Sequence, residues 1–130
     1  MVARLIFLTK KRDHITPILR DQLHWLPIDQ RIHFKILLLT YKAFHGVAPS
    51  YLNYLISLYV PPRVLRAGNV RPVGNLVTVS SRTKTYGERA FVVAAPTLWN
   101  AVPIHIRNSP TVAQFKAQLK THLFRAAFLV

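Results

Sequence analysis

The sequence predicts a mainly α protein: a small helical domain around one central buried helix, about residues 27–45, with a minor β-hairpin at about 76–94. Three observations carry this reading. The stretch from Trp25 to Gly46, WLPIDQRIHFKILLLTYKAFHG, is helical in period and punctuated at both ends. Behind Thr111, apolar residues recur at helical spacing to Ala126. Between these two, Leu76–Ser80 and Phe91–Ala94 are short apolar or β-branched runs on either side of a glycine turn.

The central helix is predicted first. Pro27 suits a first helical position, where a missing N–H costs nothing, and Gly46 suits the left-handed residue just past a helix end. At about 100° per residue the apolar side chains fall into two stripes. Ile28, Ile32, Ile36, Leu39 and Ala43 form one; Phe34, Leu37, Tyr41 and Phe44 form the other. A helix apolar on two sides is expected to be packed by neighbours on both. Arg31, Lys35 and Lys42 fill one narrow gap between the stripes, and Asp29, His33 and Thr40 fill the other.

In chain order, Val2–Leu8 reads as the end of a helix leading into Lys10, Lys11 and Arg12. That trio is either a phosphate contact or a solvated helix end whose cations complement the helix dipole. The pattern at Met1 starts without a capping residue, as in a fragment of a longer chain. Asp13 is placed to cap a short helix, Ile15–Leu23, with Ile15, Ile18, Leu19 and Leu23 on one face. Trp25 turns the corner before Pro27, as a packing anchor or as a platform for a base. A helix over Ser50–Tyr59, with Leu52, Leu55, Ile56 and Tyr59 on one face, is expected to lie antiparallel to the central helix on one of its stripes. Tyr51 and Tyr54 face elsewhere, toward core, rim or a stacked base.

The texture then changes. Residues 61–75, PPRVLRAGNVRPVGN, hold three prolines, two glycines and three arginines without periodicity, and read as a surface loop inside a single domain of residues 1–130. Arg63, Arg66 and Arg71 are there either phosphate contacts or solvated linker charges. Gly87 supplies the turn of the predicted hairpin, with Arg82, Lys84 and Arg89 around its tip. Residues 95–103, bracketed by prolines, are expected to press Trp99 against the core as a short helical turn. Thr111 and Gln114 have capping-box spacing ahead of a last helix whose apolar face is Val112, Phe115, Leu119, Leu123 and Ala126, flanked by Lys116 and Lys120.

Composition limits the chemistry. Eighteen lysines and arginines face only Asp13, Asp21, Asp29 and Glu88, a formal net charge of +14 over 130 residues. Self-repulsion of that size points to a polyanionic partner, with a merely solubilising surface as the alternative. No cysteine is present, so disulfides and thiolate metal sites are excluded. No apolar run approaches the about 20 residues a membrane helix needs. Four scattered acids give no carboxylate cluster for a two-metal site, and the six histidines show no HxxxH or HExxH spacing. With neither a nucleophile elbow nor a glycine-rich phosphate loop, the expectation is a protein that is not an enzyme, with no catalytic residue, metal, cofactor, membrane or small-molecule substrate.

The succession KRDHITPIL, LHWLPIDQRIHFKILLLTYKAFHGVAPSYL, RTKTYGERAF, AAPTLWNAVP and FKAQLKTHLF, from about Ala3 to Phe124, resembles the region that follows the reverse transcriptase domain in vertebrate LINE-type (non-LTR) retrotransposon polyproteins. Gln22 is one residue more than that pattern has between Leu19 and Leu23. The family's full-length protein joins an endonuclease to a reverse transcriptase, and the polymerase's adjacent aspartate pair has no counterpart here. The resemblance implies a non-catalytic module just beyond the polymerase thumb, in the nucleus or cytoplasm, helping to hold template RNA or primed target DNA beside a reverse transcriptase core. Arg31, Lys35, Lys42, Arg63, Arg66, Arg71, Lys10, Lys11 and Arg12 are the expected contacts, neutralising RNA or DNA backbone without reading sequence. Two other readings stand beside it: a protein-interaction or scaffolding module that docks on a polymerase or self-associates, and a decayed retrotransposon fragment without selected function.

Overall fold

A computed structural model describes residues 2–60 and 74–129 of the chain. The helices, in order, are α1 (Val2–Ile6), a π-helical turn (Ile18–Gln22), α2 (Ile28–Phe44), α3 (Ser50–Asn53), α4 (Phe91–Ala101), α5 (Ile104–Arg107) and α6 (Val112–Phe128). The architecture is mainly α, as the sequence predicts. α2 is its centre, packed against α4 and α6.

The ends of α2 follow from its punctuation. Pro27 sits at the cap rather than at the first helical position, and its carbonyl accepts the Arg31 N–H at 2.9 Å. Gly46 takes φ +68°, the left-handed geometry that lets Val47 N–H reach back to the Lys42 carbonyl at 2.8 Å. At the other long helix, Thr111 Oγ1 accepts the Gln114 N–H at 3.2 Å, so the expected cap of α6 forms.

Only one of the two stripes of α2 is enclosed. Leu37 and Tyr41 are buried with Trp99, Phe115 and Leu119, and the core continues through Leu26, Leu76, Val102, Ile106 and Leu123. Tyr41 stacks on Phe115 at 4.2 Å between ring centroids, and Phe115 approaches Trp99 at 6.1 Å. The Tyr41 hydroxyl donates to the Ser109 carbonyl at 2.6 Å, which satisfies both groups inside the core. The other stripe lies largely open, with Ile28 74%, Ile32 52% and Leu39 40% exposed. Packing on both sides therefore holds at Ala43, toward the end of α2 nearest α3, and fails over Ile28, Ile32 and Leu39.

The reason lies in α3, which stops at Asn53, short of the Tyr59 that the sequence predicts. Beyond it Leu58 forms an isolated antiparallel bridge with Leu76, flanked by Tyr59 N–H to Asn75 O and Val77 N–H to Ser57 O, both 2.8 Å. Val60 precedes Pro61, a position that disfavours helix, and an extended chain here finds ready backbone partners in residues 75–77. Those partners are held by α4. Asn100 accepts the Leu76 N–H and donates to the Leu76 carbonyl, both at 2.9 Å, while Trp99 Nε1 donates to Gly74 O at 2.6 Å. Arg107 adds a bond from Nη1 to Asn75 Oδ1 at 2.7 Å, and burial pushes its guanidinium below its ordinary value.

The predicted hairpin at 76–94 is absent among the described residues. Leu76 is the sole member of its run in a bridge, and Phe91–Ala94 opens α4 instead. A short apolar run is ambiguous by period alone, and here the pattern continues through buried Ala95, Trp99 and Val102 at helical spacing. Pro96, read as a bracket, lies inside the helix and is buried. Trp99 is in the core as expected, carried by α4 rather than by a separate turn. Gly87 does sit in a turn: an added Cβ would lie 1.7 Å from Ser81 Oγ and 2.8 Å from Thr83 O, so no larger residue fits.

Within the helix predicted over Ile15–Leu23, residues Ile18–Gln22 form a π-helical turn. Leu23 N–H bonds to Ile18 O at 3.0 Å, five residues back, the widened ring that absorbs one extra residue in a helix. Asp13 does not cap this segment. Its carboxylate accepts the Lys10 N–H at 2.9 Å and closes the preceding turn.

Two substitutions test this account. Tyr41→Phe leaves the buried Ser109 carbonyl without its hydroxyl donor and is expected to cost about 1–3 kcal/mol in urea unfolding, with helical circular dichroism unchanged. Gly87→Ala is expected to open the 81–90 turn, speeding tryptic cleavage at Arg82, Lys84 and Arg89 while leaving the core transition in place.

Candidate nucleic-acid interface

The burial of Leu37 and Tyr41 sets the rotation of α2 and so decides which residues face out. Arg31 and Lys35 are exposed and Lys42 is half-buried. One turn separates the first two and two turns the next, which aligns all three along one edge over about 16 Å at 1.5 Å per residue. Lys42 lies nearest the helix C-terminus, where the dipole favours a cation.

Arg31 is held in place. Its Nε donates to the Leu26 carbonyl at 2.8 Å, and its Cζ lies 5.2 Å from the centroid of the Trp25 ring, within cation–π range. The corner that presents Trp25 is fixed in turn by Trp25 N–H to Leu19 O at 2.8 Å and by His24 in the left-handed region, φ +48°. Trp25 is half-buried, so one part of its ring packs and another remains accessible.

These groups line a groove of about 280 Å³ formed by His24, Trp25, Leu26, Arg31, Phe34 and Lys120. No acidic residue lines it. Lys120 arrives from α6, whose inner face is fixed by Phe115, Leu119 and Leu123, and the His24 ring stacks against Phe124 at 5.9 Å. Sequence reasoning placed Lys120 on the flank of α6 and Trp25 at a corner, and missed that the fold sets them around one groove. No local signal connects residues so far apart in the chain.

Three other candidates belong to a different element. Lys10, Lys11 and Arg12 are exposed on the turn after α1, which Arg4 braces by donating to Lys10 O and, at 2.9 Å, to Asp13 O. Arg63, Arg66 and Arg71 lie outside the described residues. Tyr51 and Tyr54 are exposed. Of the acids, Asp21 pairs with Arg20 at 2.6 Å, and that hydrogen bond holds its carboxyl below the usual range. Among the described residues no three His, Asp or Glu side chains gather to hold a metal ion, and no helix is long and apolar enough to cross a membrane.

Compared with known proteins, the sequence matches no family model and no curated protein, and the fold matches no solved structure.

Arg31 links the edge to the groove, so its removal should register in both stability and spectroscopy. Arg31→Ala is expected to cost about 1–2 kcal/mol in urea unfolding, from the lost carbonyl bond and cation–π contact. It should also shift tryptophan emission to longer wavelength, because Trp25 gains water while Trp99 stays buried.

Proposed function

We propose that the chain is a non-catalytic basic module that holds RNA or DNA by its backbone, in the manner implied by its resemblance to the region after the thumb of LINE-type reverse transcriptases. The observation that carries this reading is the single cationic edge of α2, Arg31, Lys35 and Lys42, with two members exposed and no acid along the groove it borders. Charges in such a line neutralise successive phosphates and read no bases. A reverse transcriptase core is the proposed neighbour in the parent polyprotein, and the chemistry of polymerisation belongs to that core.

A second reading, a protein-interaction module, draws on a different observation. The open stripe of Ile28, Ile32 and Leu39 is apolar surface on a well-formed helix, of the kind that marks a protein contact. The cationic edge borders this stripe on α2, so the two readings draw on adjoining surfaces of one helix.

A fluorescence-anisotropy titration of a labelled RNA–DNA hybrid over a salt series tests the proposal. If about four cations release counterions, log affinity is expected to fall against log salt with a slope of roughly −3 to −4. Lys35→Glu should weaken binding and make that slope shallower by about one. Binding that ignores salt would sink the proposal. Light scattering after size exclusion, with and without the hybrid, separates a nucleic-acid complex from self-association through the apolar stripe.

A further inference from the structure

The groove beside Arg31 has the wrong composition for a pure backbone contact. Backbone neutralisation needs only accessible cations, yet three of the six lining residues, His24, Trp25 and Phe34, carry flat rings. At about 280 Å³ the groove falls just below the range of roughly 300–1,000 Å³ for ligand pockets, which suits one planar ring system rather than an extended ligand. Its walls are set in advance. The guanidinium of Arg31 is tied to Leu26 O and lies over the Trp25 indole, and the His24 ring is braced by Phe124, itself packed on Phe128 at 4.8 Å. Leu26, almost fully buried, supplies an apolar floor.

The charges define the rest of the occupant. Arg31 and Lys120, one from α2 and one from α6, border the groove without an acid, so it favours a ring that carries an anion. The Nε bond leaves the four N–H donors of the two terminal nitrogens of Arg31 for other acceptors, and Lys116 stands one turn before Lys120 on an exposed face of α6. A base with its phosphate meets each requirement: a π-face for Trp25 and the guanidinium, and an anion for Arg31 and Lys120. Lys35 and Lys42 run away from the groove along α2, so a strand held on that edge would bring its end to the groove.

We propose that this groove captures one unpaired nucleotide, so that the module binds the junction between a duplex and a single-stranded overhang rather than uniform duplex. This rests on the nucleic-acid reading above and goes further, from backbone alone to a stacked base. The stacking face and the phosphate are common to DNA and RNA, and both overhangs are expected to be accepted.

The test compares one blunt DNA duplex with the same duplex carrying a short thymidine overhang, a uridine RNA overhang, or an overhang of equal length without bases, all followed by anisotropy. Stacking one base is worth enough that the thymidine and uridine probes are expected to bind about tenfold more tightly than the blunt and abasic ones. Tryptophan emission is expected to be quenched by the base-bearing overhangs, and the signal comes from Trp25 because Trp99 is 1% exposed. Trp25→Leu should remove the tenfold gain of the base-bearing overhangs over the abasic one. Lys120→Gln, a change on an exposed helix face that does not threaten folding, should reduce the gain by about threefold or more. Salt-dependent binding with equal affinity for all four probes overturns the groove proposal and leaves the backbone reading standing. Absence of salt-dependent binding to any probe overturns both.

Discussion

The contact on which the other features rest is the aromatic column of Tyr41, Phe115 and Trp99. Each ring comes from a different long helix, and Phe115 of α6 meets both Tyr41 of α2 and Trp99 of α4, which fixes the three helices relative to one another. Rings of this size gain from area removed from water and from offset or tilted geometry, and the column also ends on a satisfied polar group, the Tyr41 hydroxyl on Ser109 O. A column of apolar residues alone would permit α2 to slide or rotate at little cost. The hydroxyl specifies one register.

That register decides the surface chemistry. With Leu37 and Tyr41 turned inward, helical geometry places Arg31, Lys35 and Lys42 on an outer edge, and with Phe115, Leu119 and Leu123 inward it places Lys120 across from Arg31. The groove is therefore a by-product of how two helices bury their apolar faces. Its lining is drawn from the corner before α2, from α2 itself and from α6, and only folding brings them together.

The sequence was most informative where chemistry was local. Pro27, Gly46 and Thr111 punctuate helices through their own backbone geometry, and helical spacing singles out Leu37 and Tyr41 of α2 and Phe115, Leu119 and Leu123 of α6, all of which are in the core. It misled where an outcome depended on a distant partner. Phe91–Ala94 has the residues of a strand and became helix because Trp99 and Val102 extended its buried face; Ser50–Tyr59 has the period of a helix and was cut short by Leu76 and the pre-proline Val60. The second stripe of α2 could not be separated from a buried one by period, because amphipathic spacing does not say whether a neighbour is long enough to cover it. Of the candidate site, the cationic edge was legible from helical spacing alone. The groove was not, since nothing near Trp25 in sequence announces Lys120.

The bridge between Leu58 and Leu76 has a consequence for the chain's tolerance of change. Tyr59 and Asn75 are joined at 2.8 Å, and Asn100, Trp99 and Arg107 anchor the far side of that junction to α4 and α5. The two ends of the intervening stretch are thus brought together by groups that stand outside it. For such a closure the entropy cost grows only with the logarithm of length, about 0.6 kcal/mol for each doubling. The pairing of 58–59 with 75–77 is therefore set from α4 and α5, and a change at Asn100, Trp99 or Arg107 reaches both segments at once.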